Sequence, residues 1–310
     1  MKNFLSKLVT VVALFIFTFN MSVVLISAEE NQPKITVTTT FLTDIVNRLA
    51  PDTFEVVSIV PAGGDPHIYT ASAQDLMNIT EADLILFHGL HFEAQMAEVL
   101  ESLDHAYSVT STFNPDDLIT VSEGSNEVDP HYWFDIDLYK RSVEQAQAVI
   151  AEAFPEYAQI INQNTKDYLN ELDELDQWIG SEINQLDVDD RILVTPHDAF
   201  AYFAKRYDFT VYAPQGISTE SEVSNDAIIQ TVNFIVENNV PAIFLDTTSN
   251  PQAMEKLQEG VKQKGHQVQV IGGKNAELYS DSLGAQGHAN DNYIEMYRHN
   301  VSTIVNNLIQ

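Results

Sequence analysis

The sequence predicts an α/β fold of two similar lobes, each a parallel-type sheet flanked by helices, joined by one long helix. Three observations carry this reading. Short apolar runs alternate with stretches of helical period along the chain, the pattern of βαβ units and a parallel sheet. From about Tyr157 to Leu186 one helical pattern runs unbroken, roughly 30 residues or about 45 Å at 1.5 Å per residue, too long for an ordinary crossover. After it the βα alternation begins again. The predicted boundaries are a signal peptide over 1–28, a first lobe over 29–155, a linking helix over 156–187 and a second lobe over 188–310.

Within the first lobe, Lys34–Thr40 alternates as a strand, and Phe41, Ile45, Val46 and Leu49 then share one helix face. Phe54–Val60 is the second strand and ends in Pro61-Ala-Gly-Gly-Asp-Pro-His67. A helix around Ala71–Ile79, the strand Ala82–Phe87 and a helix over about Phe92–Leu103 follow. Thr112–Asp129 is a polar loop, and Leu138–Phe154 is helical. In the long helix, Tyr168, Leu172, Leu175, Ile179, Ile183 and Leu186 step by three or four, so one apolar stripe lies along it. The second lobe has strands at Ile192–Thr195, Phe209–Tyr212, Ala242–Leu245 and Val268–Ile271. Its helices lie near Asp198–Tyr207, Asn225–Glu237, Pro251–Lys264 and Asn292–Leu308.

Residues 1–28 stand apart. Lys2 and Lys7 precede an apolar run from Leu8 to Phe19, and small Ser27 and Ala28 precede Glu29-Glu30, the layout of a secretory signal. Leu8–Ala28 is also about long enough to span a bilayer, so an uncleaved anchor is the competing reading. The whole chain of 310 residues holds 45 acidic and 15 basic side chains, a net charge of −30. Residues 1–28 carry two lysines and no acid, so the remainder, with 13 bases against 45 acids, stands at −32. Such a surface repels phosphate backbones and excludes nucleic acid as a partner. Cysteine is absent, which removes disulfides, thiolate ligands, cysteine nucleophiles and attachment of a lipid through an N-terminal cysteine.

Three histidines share one local setting: His67 after Gly-Gly-Asp-Pro, His131 after Asp-Pro, and His197 after Thr-Pro. A lone histidine in a strand-to-helix turn is more often structural or solvated than functional. Three of them in proline-fixed loops are another matter, because His67 and His197 follow strands and the carboxyl edge of an open sheet is where ligands are met. Neutral imidazole is the commonest protein ligand for transition metals. Asp281, in Glu277-Leu-Tyr-Ser-Asp-Ser-Leu-Gly284, follows the last strand and joins them as a fourth candidate. Three neutral histidines and one carboxylate around a divalent ion leave a net charge near +1; zinc accepts such a set tetrahedrally, while manganese wants more oxygen. His88 and His91 read as loop and helix-start residues near the cleft, and His105, His266, His288 and His299 as surface residues. No His-Glu-x-x-His helix, Gly-x-Ser-x-Gly elbow, Walker loop or dinucleotide fingerprint occurs.

At these residues the sequence resembles the metal-binding solute-binding proteins of manganese and zinc ABC importers, whose lobes are joined by a rigid helix. The resemblance rests on Val60–His67, Ala82–Glu93, Asp129–Trp133, Val194–Phe200, Gln215–Glu222 and Leu278–Leu283, six segments in order over nearly the whole chain after the N-terminal segment. It implies His67, His131, His197 and Asp281 as metal ligands in the cleft between the lobes. It also implies an extracytoplasmic receptor that binds one divalent ion and delivers it to an ABC membrane permease without catalysing a reaction. The Gln215–Glu222 segment resembles the manganese branch, and Thr112–Asp129 lacks the histidines of zinc-dedicated relatives, so manganese is favoured, zinc stands close behind, and Fe2+ is admitted. His197, where many manganese receptors place Glu, keeps zinc in play. The chain is expected to be exported, periplasmic or held at the cell surface, and monomeric. An adhesive role at the surface is compatible with metal binding. The alternative is a secreted metalloenzyme on the same residues, with Asp65 or Glu222 as general base.

Overall fold

The strands of the first lobe run parallel. β1 (Lys34–Val37) lies between β2 (Glu55–Ser58) and β3 (Leu84–Phe87), with Lys34 opposite Glu55 and Ile35 opposite Leu84. β4 (Ala106–Ser108) adds to the far side of β3, so the order is β2-β1-β3-β4. β3 is buried throughout and β1 nearly so, as expected of inner strands covered by helices on both faces. The order reverses between β1 and β3, which opens a crevice beyond their carboxyl ends. This computed structural model describes residues 32–121, 125, 127–273 and 276–309. The signal peptide expected over 1–28 lies outside the described residues. No helix among the described residues is long and apolar enough to cross a membrane.

Three helices belong to the first lobe before its last long one: α1 (Thr40–Leu49), α2 (Ala73–Thr80) and the short α3 (Ala97–Glu101). Ser72 and Asp75 form a reciprocal capping box that starts α2. The helix expected over about 92–103 is confined to α3, and the turns before it begin with Gly89, Leu90 and His91, all at positive φ. Only glycine fits at 89, where a Cβ would meet Ser108 Oγ at 2.3 Å. Strand β4 is not foreseen in the sequence, since three residues with Tyr107 exposed show no period.

α4 (Ile136–Ala153) is capped by Asp135, and after Pro155 the linking helix α5 (Ala158–Ile183) runs for 26 residues. Ile161, Thr165, Tyr168, Leu172, Leu175, Ile179 and Ile183 are its buried stripe, a spacing of three and four that keeps one face covered. In the second lobe β5 (Ile192–Val194) pairs with β6 (Thr210–Tyr212) and β7 (Ala242–Phe244) with β8 (Gln269–Ile271), again parallel. β5 lies beside β7, so the order of the first sheet is repeated in outline. The helices are α6 (Ala201–Tyr207), α7 (Asn225–Glu237), α8 (Gln252–Gln263) and α9 (Tyr293–Leu308).

Each lobe has a small apolar cluster of its own, around Ile85 and Phe87 in the first and Ile243 and Leu257 in the second, but the main core is shared. One apolar cluster runs from Ile35 and Phe41 through Trp133 and Leu172 to Phe200, Leu283 and Tyr297. The C-terminal helix α9 packs on α5 and also closes over the first lobe. The ring of Tyr293 stacks on Tyr139 at 3.6 Å between centroids, and its hydroxyl donates to the carbonyl of Trp133. Its backbone N–H donates to the buried Asp44 of α1 at 3.0 Å.

Candidate metal centre

Four loops, two from each lobe, bring His67, His131, His197 and Asp281 together. One potential ligand atom from each lies within 4.8 Å of the others, and all four residues are buried. His67 Nε2 is 3.3 Å from His131 Nε2 and 4.0 Å from Asp281 Oδ2. His131 Nε2 is 3.2 Å from Asp281 Oδ1, and His197 Nε2 is 3.1 Å from Asp281 Oδ2. The four candidates read from the sequence therefore meet at one point, and both carboxylate oxygens face imidazole nitrogens.

Each loop has a local cause. After β2 the chain turns through Pro61-Ala-Gly-Gly, with Gly63 at φ 75°, and Asp65 Oδ1 accepts the backbone N–H of His67 at 2.9 Å. His131 precedes a single 3-10 turn, Tyr132–Phe134, whose three aromatic side chains are buried. The indole N–H of Trp133 donates to the carbonyl of Ser280, next to Asp281, at 2.9 Å, so the two loops are fixed to each other. His197 ends the β5 edge and pairs with Gln215 as an isolated parallel bridge. Asp281 Oδ2 accepts from Thr248 at 3.3 Å.

The outer nitrogens of two imidazoles are occupied. His131 Nδ1 is 2.7 Å from Asp129 Oδ1, and His197 Nδ1 is 3.0 Å from Asp246 Oδ2. A carboxylate behind Nδ1 fixes a proton there and aims Nε2 into the cluster, where it offers a lone pair once its own proton has been displaced, the arrangement that orients histidines toward metals. His197 Nε2 and Asp281 Oδ1 are fully buried and make no hydrogen bond, despite their short contacts inside the cluster. Buried polar atoms left so are rare and costly unless something else satisfies them. One divalent cation among three nitrogens and a carboxylate would satisfy both, so the donor set fits such an ion.

Burial and the neighbouring charges set the protonation of each group in the cluster. Burial and the neighbouring histidines hold the His67 imidazole down at about 3, against the pull of Asp281. Burial also opposes protonation of His131, but Asp129 and Asp281 outweigh it and raise it to about 9. His197 is raised well above its usual value, the Asp281 and Asp246 carboxylates prevailing over burial. Asp281 is held far below the usual carboxylate range because His197 and His131 overcome the effect of burial.

Other residues stand differently from their sequence reading. His88 is the loop residue directly after β3, as expected, but it is buried, its Nε2 2.7 Å from Thr39 Oγ1 and its Nδ1 3.0 Å from the Tyr132 hydroxyl. His91 is exposed, as are His266 and His288. His299 is half-buried against the carbonyl of Glu277, and His105 is half-buried with Nε2 unpartnered. The supporting carboxylates Asp129 and Asp246 were not singled out in the sequence. An acid directly after an apolar strand, as in Ala242-Ile-Phe-Leu-Asp246, was the available signal.

Comparison with known proteins identifies the family. The chain is 35% identical over 278 residues to the manganese-binding lipoprotein MntA of Bacillus subtilis (strain 168), covering 89% of each. It superposes with a TM-score of 0.86 on the periplasmic zinc-binding protein TroA of Treponema pallidum, 34% identical, over 90% of this chain and all of that one. A second solved TroA, studied for its metal-binding specificity, is 48% identical with a TM-score of 0.87 over the same shares. The profile described as ZnuA, zinc-uptake complex component A, periplasmic, matches residues 35–307. The chain belongs to that family, the metal-binding solute-binding proteins of manganese and zinc ABC importers.

Proposed function

We propose that this protein is an extracytoplasmic receptor that takes one divalent transition-metal ion through His67, His131, His197 and Asp281 and hands it to an ABC membrane permease. The observation that carries the reading is the pair of buried atoms without a hydrogen bond, His197 Nε2 and Asp281 Oδ1, in a cluster where the outer nitrogens of His131 and His197 are already held by Asp129 and Asp246. Manganese is the favoured cargo and zinc the next, with Fe2+ third. Both oxygens of Asp281 face nitrogens, which supports a coordination richer than the four ligands zinc needs.

The receptor carries out no reaction. Both oxygens of Asp65 already accept hydrogen bonds, from His67 N–H and from the Thr219 hydroxyl, and Glu222 is exposed, which favours the receptor over a metalloenzyme. The protein is exported, periplasmic or at the cell surface, without a lipid on cysteine, and acts as a monomer. Its domains are a leader over 1–28, lobes over 29–155 and 188–310, and the link over 156–187. Elemental analysis of the purified protein, followed by calorimetric competition between Mn2+ and Zn2+, tests the function. One bound ion per chain is expected, and failure to take up manganese, zinc or iron sinks it. Tighter zinc binding in the tube would follow the general order of divalent-ion stability and would not by itself identify the transported ion.

A further inference from the structure

We propose that Asp65 is a positioning residue that couples the second-lobe loop 215–222 to His67, and that this contact sets how fast the bound metal leaves. The inference rests on the receptor reading and concerns which ligand lets go first.

Three of the four cluster residues are braced from behind. Asp129 holds the His131 ring, Asp246 and Ser249 hold the His197 ring, and Thr248 donates to Asp281. The ring of His67 has no such support: among the described residues its Nδ1 makes no hydrogen bond, and its Nε2 reaches only into the cluster. What fixes its place is the backbone. Asp65 Oδ1 accepts the His67 N–H at 2.9 Å, closing a turn after the Gly63-Gly64 pair.

The other oxygen of Asp65 crosses the cleft. Thr219 Oγ1 donates to Asp65 Oδ2 at 2.5 Å, and the loop that carries Thr219 starts at Gln215, which is bridged to His197. Within the loop the Gln215 side chain donates to the carbonyls of Thr219 and Ser221, so the segment holds its shape. On its own lobe's side, a cleft of about 320 Å³ separates this loop from Ile228, Asn250 and Lys256. The loop is therefore a stiff arm, rooted beside His197 and resting on Asp65, with space for it to withdraw. When it withdraws, Asp65 loses the partner that holds it, and the least-braced ligand is the one released.

The test measures metal dissociation from the full chain loaded with Mn2+ or Zn2+, mixed with excess chelator and followed by tryptophan fluorescence, Trp133 lying 5.3 Å from the His131 ring between centroids. Thr219→Val removes the donor while keeping the shape, and Asp65→Ala removes both contacts. Each is expected to speed release on the order of tenfold, the scale of one hydrogen bond to a charged group. The double variant should be no faster than Asp65→Ala alone, since both act through one contact. Thr219→Ser, which restores the hydroxyl, should return the rate to within about twofold of wild type. Gln95→Ala breaks the other bond from this loop across the cleft, to Glu220, without touching a ligand, and should leave the rate unchanged. Wild-type rates in Thr219→Val and Asp65→Ala, or equal acceleration in Gln95→Ala, would overturn the proposal while leaving the receptor reading intact. A wild-type chain that takes up neither metal overturns both.

Discussion

Asp246 Oδ2 sits 3.0 Å from His197 Nδ1, and the Ser249 hydroxyl and two backbone N–H groups hold the same carboxylate in place. The imidazole is thereby oriented by a residue 49 positions away that never reaches the cluster centre. Asp246→Ala should weaken metal binding by about 10–100-fold, the usual effect of removing a group behind a ligand. His197→Ala should lose more than that. Titration calorimetry gives both values, and an Asp246→Ala protein with wild-type affinity would show that the contact does not orient the ring.

Metal affinity should rise with pH well beyond the usual imidazole range. His131, raised to about 9, and His197, also raised, carry protons at neutral pH in the metal-free protein, while His67, held down at about 3, does not. Metal must displace those protons, so uptake releases them. Calorimetry in buffers of different ionisation enthalpy should detect the release at pH 7. An affinity that is flat between pH 6.5 and 9 would contradict it.

The same shifts set the stability of the metal-free protein. A histidine whose folded pKa lies above the unfolded value of 6.5 contributes stability that is complete below 6.5 and is lost as pH rises through about 9. The melting temperature without metal should therefore fall across that interval. Metal stabilises the folded state by mass action and binds better as the protons leave. The thermal shift on adding Mn2+ should be larger at pH 9 than at pH 6.5, as scanning calorimetry can show.

Arg206 of α6 ties three parts of the chain. It bonds Asp176 of the linking helix at 3.0 and 2.8 Å, and Asp135 and Asp137 at the start of α4 at 3.2 and 2.9 Å. The forked, half-buried contact to Asp176 is the stronger part, and exposed Asp137 adds little. Arg206→Ala should cost about 1–3 kcal/mol in denaturant unfolding and leave the equilibrium metal affinity within about threefold. A large loss of affinity would mean that the network shapes the cluster as well as the frame.

Asp44 is a buried acid that costs stability at neutral pH. Burial raises it to about 6, although the Tyr293 N–H and Arg48 favour its charge. An acid raised in the folded state stabilises it at low pH, and that contribution is lost as pH climbs from 3.8 through 6. Asp44→Asn keeps an acceptor for Tyr293 N–H and Tyr168 OH and should gain about 1–3 kcal/mol at pH 8. Little gain is expected at pH 4, and a loss at pH 8 would show that the Arg48 pairing outweighs burial.

Local chemistry made some of this legible in advance. Helix α7 is bounded as the sequence indicates because Ser224 caps it and its apolar residues keep the period. The four cluster residues could be named because each stands in a distinctive loop. Burial of His88 could not be foreseen: its cover comes from Phe92, Tyr132 and Trp133, two of them more than 40 positions away. The roles of Asp129, Asp246 and Thr219 are likewise fixed by tertiary approach, where the sequence offers only common polar residues.

The reach of α9 back onto the first lobe bears on how the chain comes to be folded. Tyr293 and Tyr297 cover Tyr139, Phe134 and the Asp44 face of α1. A chain emerging from its N-terminal end leaves those surfaces open until its last sixteen helical residues have been made. The packing of the first lobe is thus completed by the last part of the chain to be made, so its fold is tied to the presence of the C-terminal helix.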